Sequence, residues 1–128
     1  MTTVLVVDDE PLIAMALEAA LQDAGYGVVT AANGRQGLER LAEAPRPDIV
    51  LLDMMMPVMN GPAMLAAMAA SPNLDGIPVI ILSSLPEEAV RTRTKGAAAI
   101  LRKPYTAEEV LGAIAGVLGR TREASEKS

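Results

Sequence analysis

The sequence predicts an α/β fold: a doubly wound, five-stranded parallel sheet with five helices. Three observations carry that prediction. Apolar runs alternate five times with segments of helical period, the pattern of strands joined by crossover helices. Residues 4–7, 49–52 and 79–82 are apolar at successive positions, as expected of strands covered on both faces. Acidic residues stand directly after two of those runs, Asp8-Asp9 after the first and Asp53 after the second.

The first strand is placed at 4–8 and the first helix at 11–24, where Pro11 suits an opening turn and Gly25 is set to end the helix. A weaker strand follows at 26–31, then a helix at 34–44 opened by Asn33-Gly34. The strand at 48–53 leads to a helix at 61–70, and the strand at 78–83 to a helix at 86–95. The last strand, 98–102, is also weak, so the second and fifth are the expected sheet edges. Thr106 and Glu109 form a capping box at the head of the last helix, 106–119. The expected domain is therefore 1–119. Residues 120–128 have no apolar side chain except Ala124 and read as a polar tail, either a frayed end or a linker stub.

On the first helix, Ile13, Leu17, Ala20 and Leu21 are expected to face the sheet, which turns Ala14 and Met15 toward solvent. Only Glu18, Gln22 and Asp23 are polar between Pro11 and Gly25, too few for an ordinary solvated face. Exposed apolar residues there would mark a docking site.

Composition narrows the function. A chain of 128 residues with 51% hydrophobic content is one domain with an ample core. With no Phe, no Trp and only Tyr26 and Tyr105, it lacks base-stacking platforms, and a net charge of -5 disfavours direct binding of nucleic acid. The absence of Cys and His excludes disulfides, thiol chemistry, zinc sites and imidazole catalysis. Met1-Thr2-Thr3 leads into a strand without a basic region, and no apolar stretch approaches the roughly 18 residues of a membrane span, so a cytoplasmic protein is expected.

Carboxylates at the carboxyl ends of neighbouring parallel strands converge on one rim. Two charges about 4 Å apart repel by roughly 4 kcal/mol at an effective dielectric near 20. Asp8, Asp9 and Asp53 therefore need a cation, a shared proton or a nearby Lys. Among all-oxygen cations Mg²⁺ fits best, since it takes one or two carboxylates, keeps waters and accepts phosphate oxygens. Ser83 ends the fourth strand and Lys103, followed by Pro104, ends the fifth. Together these groups can surround a phosphoryl group, with Asp53 as nucleophile and Ser83 and Lys103 binding its oxygens. The blander alternatives are that Asp8-Asp9-Glu10 caps the first helix and that Met54, Met55, Met56 and Met59 are packing. Tyr105 either packs or marks an interface.

In order and spacing, Val-Val-Asp8-Asp9-Glu10, Leu-Leu-Asp53-Met-Met-Met-Pro57-Val-Met-Asn-Gly61, Ile-Leu-Ser83-Ser84 and Leu-Arg-Lys103-Pro104-Tyr105 resemble the receiver domain of two-component response regulators, as in chemotaxis-type single-domain receivers. The resemblance implies a flavodoxin-like strand order, 2-1-3-4-5. It implies that Asp53 accepts a phosphoryl group from a phosphohistidine with Mg²⁺ held by Asp8, Asp9, Asp53 and the backbone carbonyl of Met55. Lys103 would pair with Asp53 before reaction and with phosphate afterward, and the Lys103-Pro104 bond would be cis. Such a domain is not an enzyme beyond its own phosphorylation and slow autodephosphorylation. A histidine kinase or phosphotransfer protein would dock on the first helix, and a downstream protein would read the fourth helix, fifth strand and fifth helix. The chain would be a monomer or a phosphorylation-dependent dimer.

Two departures stand out. Ile100 occupies the position three before the Lys where the family often has an aromatic switch residue, and the stretch from Ser83 to Lys103 is about two residues short, which predicts a shortened or irregular fourth helix. The positions two beyond Asp53 and Ser83, which flank the attacking water's path in the family, are the apolar Met55 and Leu85, and this predicts a slowly hydrolysed aspartyl phosphate. The competing functions are a degenerate receiver acting as a phosphorylation-independent binding module and an Mg²⁺-dependent phosphohydrolase using Asp53 as nucleophile.

Overall fold

The structure is a computed structural model in which residues 1–127 are described, with side chains through Arg120. Five strands, β1 (Thr3–Val7), β2 (Gly27–Ala31), β3 (Ile49–Asp53), β4 (Val79–Ser83) and β5 (Ala99–Arg102), form one parallel sheet in the order β2-β1-β3-β4-β5. Between and after them run α1 (Pro11–Asp23), α2 (Gly34–Leu41), α3 (Gly61–Ala69), α4 (Glu87–Arg91) and α5 (Ala107–Lys127). Fold class and strand order are those expected.

Strand geometry divides the core. Successive side chains of a strand point to opposite faces, so Val4, Val6, Ile49, Leu51, Ile80 and Leu82 pack with Leu17 and Leu21 of α1 and Val110 and Ile114 of α5. On the other face Leu5, Val7, Val50, Leu52, Val79 and Ile81 pack with Leu41, Met64, Met68 and Val90 from α2, α3 and α4. Every residue of β1, β3 and β4 is buried, whereas β2 and β5 are largely half-covered edges.

Local signals act where the sequence places them. Gly25, at φ +95°, follows the end of α1. Asn33 caps α2 by accepting from the Gln36 N–H, and Thr106 and Glu109 exchange the two bonds of a capping box. Asn60 caps α3 in the same manner, accepting from the Ala63 N–H. The Lys103-Pro104 bond is cis.

Four details differ from expectation. On α1 it is Ala14, spaced three and seven from Leu17 and Leu21, that is buried; Ile13 and Ala20 lie half-covered at the flanks, while Met15 is exposed as expected. Leu17 and Leu21 face the sheet as expected, Ala14 completes the buried stripe, and Leu12 is exposed. Helix α2 stops at Leu41, three residues early, ahead of the Pro45 and Pro47 that disfavour helix in the residues before them. Helix α4 is confined to Glu87–Arg91: the buried Thr94 hydroxyl bonds back to the Val90 carbonyl at 2.8 Å, and Gly96 at φ +93° turns the chain into β5. Helix α5 continues past 119 to Lys127, since no Pro or Gly follows Gly119 and the residues there are mostly ordinary helix formers. It thus enters the segment expected as a tail, of which Ser128 and the side chains beyond Arg120 lie outside the described residues.

Candidate functional site

Parallel pairing brings the ends of β1, β3, β4 and β5 side by side, and every candidate polar residue stands on that rim. Asp53 closes β3 and is only 4% exposed. Its Oδ1 accepts from the Met54 N–H at 3.0 Å and from the Lys103 ammonium, also at 3.0 Å. Asp8, 2% exposed, follows β1; its own N–H reaches the Ala31 carbonyl, and its Oδ1 accepts from the Glu10 N–H at 2.9 Å. Its Oδ2 is buried with no hydrogen-bond partner among the described residues.

Asp8, Asp9 and Asp53 each offer a carboxylate oxygen, and these oxygens lie within 4.8 Å of one another. Two full charges at that separation repel by about 3 kcal/mol at an effective dielectric near 20. Burial pushes the Asp8 carboxyl above the usual carboxylate range; the Glu10 N–H opposes this and the charge of Asp53 adds to it. Burial likewise raises Asp53, against the opposing hydrogen bond and charge of Lys103. For Lys103, burial favours the neutral amine, but the hydrogen bond to Asp53 and the charges of Asp53 and Asp8 outweigh it and raise the ammonium pKa. The Asp53–Lys103 ion pair alone would lower Asp53, so the net rise shows that desolvation dominates at the acid. One ammonium leaves the three-carboxylate cluster underneutralised. An orphaned buried oxygen beside an all-oxygen donor set is what a hard divalent cation satisfies, so the residues fit Mg²⁺.

Glu10 stands at the N-cap of α1 but makes no side-chain cap bond, and Asp8 turns back to the Glu10 N–H. The capping reading of the acidic run is therefore not what the side chains do. Ser83 closes β4, buried, its Oγ accepting from the Leu85 N–H at 3.0 Å, while the Lys103 N–H bonds the Ser83 carbonyl at 2.8 Å. Met55 is exposed and Leu85 half-buried.

Two glycines support the loop after Asp53. A Cβ on Gly61 would lie 2.5 Å from the Asp53 carbonyl oxygen, so only glycine lets α3 start this close to the acceptor strand. The Gly34 N–H bonds the Met59 carbonyl at 2.9 Å, and a Cβ there would meet that same oxygen at 2.8 Å. Asn33-Gly34 is visible in the sequence as a helix start; its tie to a loop 25 positions away is not, because only the fold creates it.

The model of the response regulator receiver domain matches residues 4–115. The chain belongs to that family. Among receiver relatives, the transcriptional regulatory protein KdpE of Mycobacterium tuberculosis is 37% identical over 128 residues, 98% of this chain and 55% of KdpE. Protein PilH of Pseudomonas aeruginosa is 35% identical over 120 residues, 92% of this chain and 98% of PilH. The chain thus spans about half of KdpE and nearly all of PilH. In structure it is similar to the chemotaxis protein CheY4 of Vibrio cholerae, with a TM-score of 0.85 and 34% identity, covering 91% of this chain and 98% of that one. Phosphorylation and use of Mg²⁺ are general properties of receivers in two-component systems, which interact with histidine kinases and downstream effectors.

Beside the rim this receiver has a groove of about 510 Å³ between α1 and the β5–α5 connection, lined by Leu12, Ile13, Ala16 and Leu17 on one side and Pro104 and Tyr105 on the other. Leu12 is 80% and Met15 63% exposed. Tyr105 packs against the α1–α5 core and borders the groove, so it both packs and lines a surface. Of this face the apolar spacing on α1 foretold the exposure of Met15 but not that of Leu12, and the groove itself depends on Pro104 and Tyr105 arriving from the far end of the chain. Ile100 and Leu85 both pack against the core on the α2–α4 face. No described helix is long and apolar enough to cross a membrane.

Proposed function

We propose that this chain is a phosphorylation-controlled switch of a two-component phosphorelay in which Asp53 accepts the phosphoryl group of a phosphohistidine. The observation that carries it is Asp53 itself, a buried carboxylate held by Lys103 within 4.8 Å of two further carboxylates. In the transfer an Asp53 carboxylate oxygen forms a bond to phosphorus as the phosphorus–nitrogen bond breaks, and the electron pair returns to the donor's imidazole. Lys103 neutralises oxygens of the phosphoryl group, and the Ser83 hydroxyl donates to another. Asp8 and Asp9, with Asp53 and the Met55 carbonyl, would hold Mg²⁺, which when bound supplies charge neutralisation to the phosphoryl oxygens.

Burial serves this chemistry, since a desolvated acceptor gains more from each fixed charge around it. The backbone bond between Lys103 and Ser83 links the strands carrying both phosphate-binding residues, so a change in their contacts is felt at the ends of β4 and β5. The phosphorylated state would alter the surface of α4, β5 and α5, to the extent that phosphate interacts better with one state than the other. The kinase or phosphotransfer protein would dock on α1 and the groove beside it, and the whole would act in the cytoplasm. Incubation with acetyl phosphate and Mg²⁺ should add one phosphoryl group by intact mass, and Asp53→Ala should take none. Sustained release of phosphate over many cycles would instead make the chain a hydrolase.

A further inference from the structure

The chain has eight Met and no Cys, so its exposed thioethers are what a peroxide meets. Burial sorts them. Met54, Met64 and Met68 are at most 2% exposed, and Met56 and Met59 are half-covered and pack against the core. Met1, Met15 and Met55 stand in solvent. Two of these flank the acidic rim: Met15 lines a pocket with Asp8 and Asp9, and Met55 follows Asp53 by two residues and is 69% exposed. Asp53 does not line the pocket of Met15, so Met55 is the exposed thioether that belongs to the acceptor.

The backbone before Met55 is fixed. The Met54 N–H donates to Asp53 Oδ1 at 3.0 Å and to the Leu82 carbonyl at 3.1 Å, while the Gly61 N–H bonds the Met54 carbonyl at 3.1 Å. Two residues of chain span at most about 7 Å, so the long Met55 side chain starts within reach of a phosphoryl group carried by Asp53. As a thioether it is apolar and a weak acceptor. A sulfoxide in its place presents a polar oxygen. The change is confined to the side chain and leaves the Met55 backbone carbonyl as it was.

We propose that Met55 is a redox modification site: a peroxide converts its thioether to the sulfoxide, and the sulfoxide shortens the life of the phosphoryl group on Asp53. The effect on that lifetime rests on the phosphorelay reading. In the oxidation a sulfur lone pair forms a bond to one peroxide oxygen as the oxygen–oxygen bond breaks. The sulfur is oxidised by two electrons, and the departing hydroxide takes the proton of the transferred oxygen and leaves as water. The new oxygen accepts a hydrogen bond from a water beside the phosphoryl group. That water's oxygen bonds to phosphorus as the phosphorus–oxygen bond to Asp53 breaks. The electron pair returns to the carboxylate, the water's proton passes to solvent and phosphate is released. A dithiol reductant reverses the modification, taking the oxygen away as water and ending as a disulfide. An exposed thioether is open to both reagents, as the buried ones are not.

The test starts with dilute hydrogen peroxide on the full chain, quenched and mapped by peptide mass spectrometry. Met55 should be oxidised with Met1 and Met15, ahead of Met54, Met64 and Met68. The oxidised chain is then phosphorylated with acetyl phosphate and Mg²⁺, the donor is removed, and loss of the adduct is followed by intact mass. Decay should be roughly tenfold faster than in the reduced chain, the size of one hydrogen bond gained in the transition state. A sulfoxide reductase with a dithiol should restore the slow rate. Peroxide should leave the decay rate of Met55→Leu where it was and should still act on Met15→Leu. Met55→Gln, which carries a side-chain carbonyl oxygen without any oxidant, should decay faster than Met55→Leu. Oxidation of the buried Met residues ahead of Met55, equal decay before and after oxidation, or an equal response in Met55→Leu overturns the proposal. A reduced chain that takes no phosphoryl group overturns the phosphorelay role and the lifetime effect together, whereas a reduced chain whose adduct forms and then decays at a rate that oxidation does not change overturns this proposal alone.

Discussion

At the scale of single residues, the site stores charge that the fold alone does not relieve. Asp8 is buried with an unpartnered oxygen, and its pKa is raised first by that burial and then by Asp53. A carboxyl whose folded pKa lies above its unfolded value favours the fold most below the unfolded value, and that contribution is lost as pH rises through the folded pKa. In a chelator, the melting temperature of wild type relative to Asp8→Asn should therefore fall as pH is raised from below the ordinary Asp value of 3.8 through the elevated one. Above that window Asp8→Asn should be the more stable by a few degrees, and Mg²⁺ should raise the wild type alone. Chain chemistry at Met55 and Leu85 bears on the lifetime of the phosphorylated state. Neither side chain can orient a water, so Met55→Asn combined with Leu85→Glu should speed loss of the aspartyl phosphate roughly tenfold, about 1.4 kcal/mol in barrier. Unchanged decay would place control elsewhere. The acidic residues, Ser83 and Lys103 were legible from sequence because each stands within two residues of the end of an apolar run. The dependence of the Met59 carbonyl on Gly34 was not, because a close approach between distant segments has no local signature.

At the scale of elements, α1 and α4 depart most from a regular surface helix. Helix α1 buries Ala14, Leu17 and Leu21 and leaves Leu12 and Met15 in solvent beside the rim. The helical period foretold an apolar surplus but misplaced Ala14, since a sequence this uniformly apolar fixes the stripe only to within one residue. If the exposed face receives the kinase, Met15→Lys should slow phosphotransfer from the partner about tenfold, on the order of 1.4 kcal/mol, while phosphorylation by acetyl phosphate keeps its rate. Equal loss with both donors would show damage to the site and reject the docking role. The shortness of α4 was legible as missing length between Ser83 and Lys103; the bond from Thr94 to Val90 that ends it required the fold. The capping box of Thr106 and Glu109 was readable in full because both partners lie within one turn.

At the scale of the whole molecule, a doubly wound sheet explains why five residues scattered from 8 to 103 stand on one rim. Strand order β2-β1-β3-β4-β5 puts four strand ends in a row, and each end contributes one part of the site. The alternation of apolar runs and helical segments foretold this architecture, with strand ends mostly within one residue. Helix ends were less exact: α5 met no breaker after Gly119, α2 stopped ahead of Pro45 and Pro47, and α4 ended where the Thr94 hydroxyl turns back to the Val90 carbonyl. The central claim is that this arrangement makes Asp53 the metal-dependent acceptor. The most direct measurement is to treat the chain with acetyl phosphate, with Mg²⁺ or with chelator, reduce with borohydride and sequence the peptides by mass spectrometry. An aspartyl phosphate at the acceptor is converted to homoserine at position 53 in the Mg²⁺ sample alone. Homoserine at another position, or equal conversion in chelator, would contradict the account.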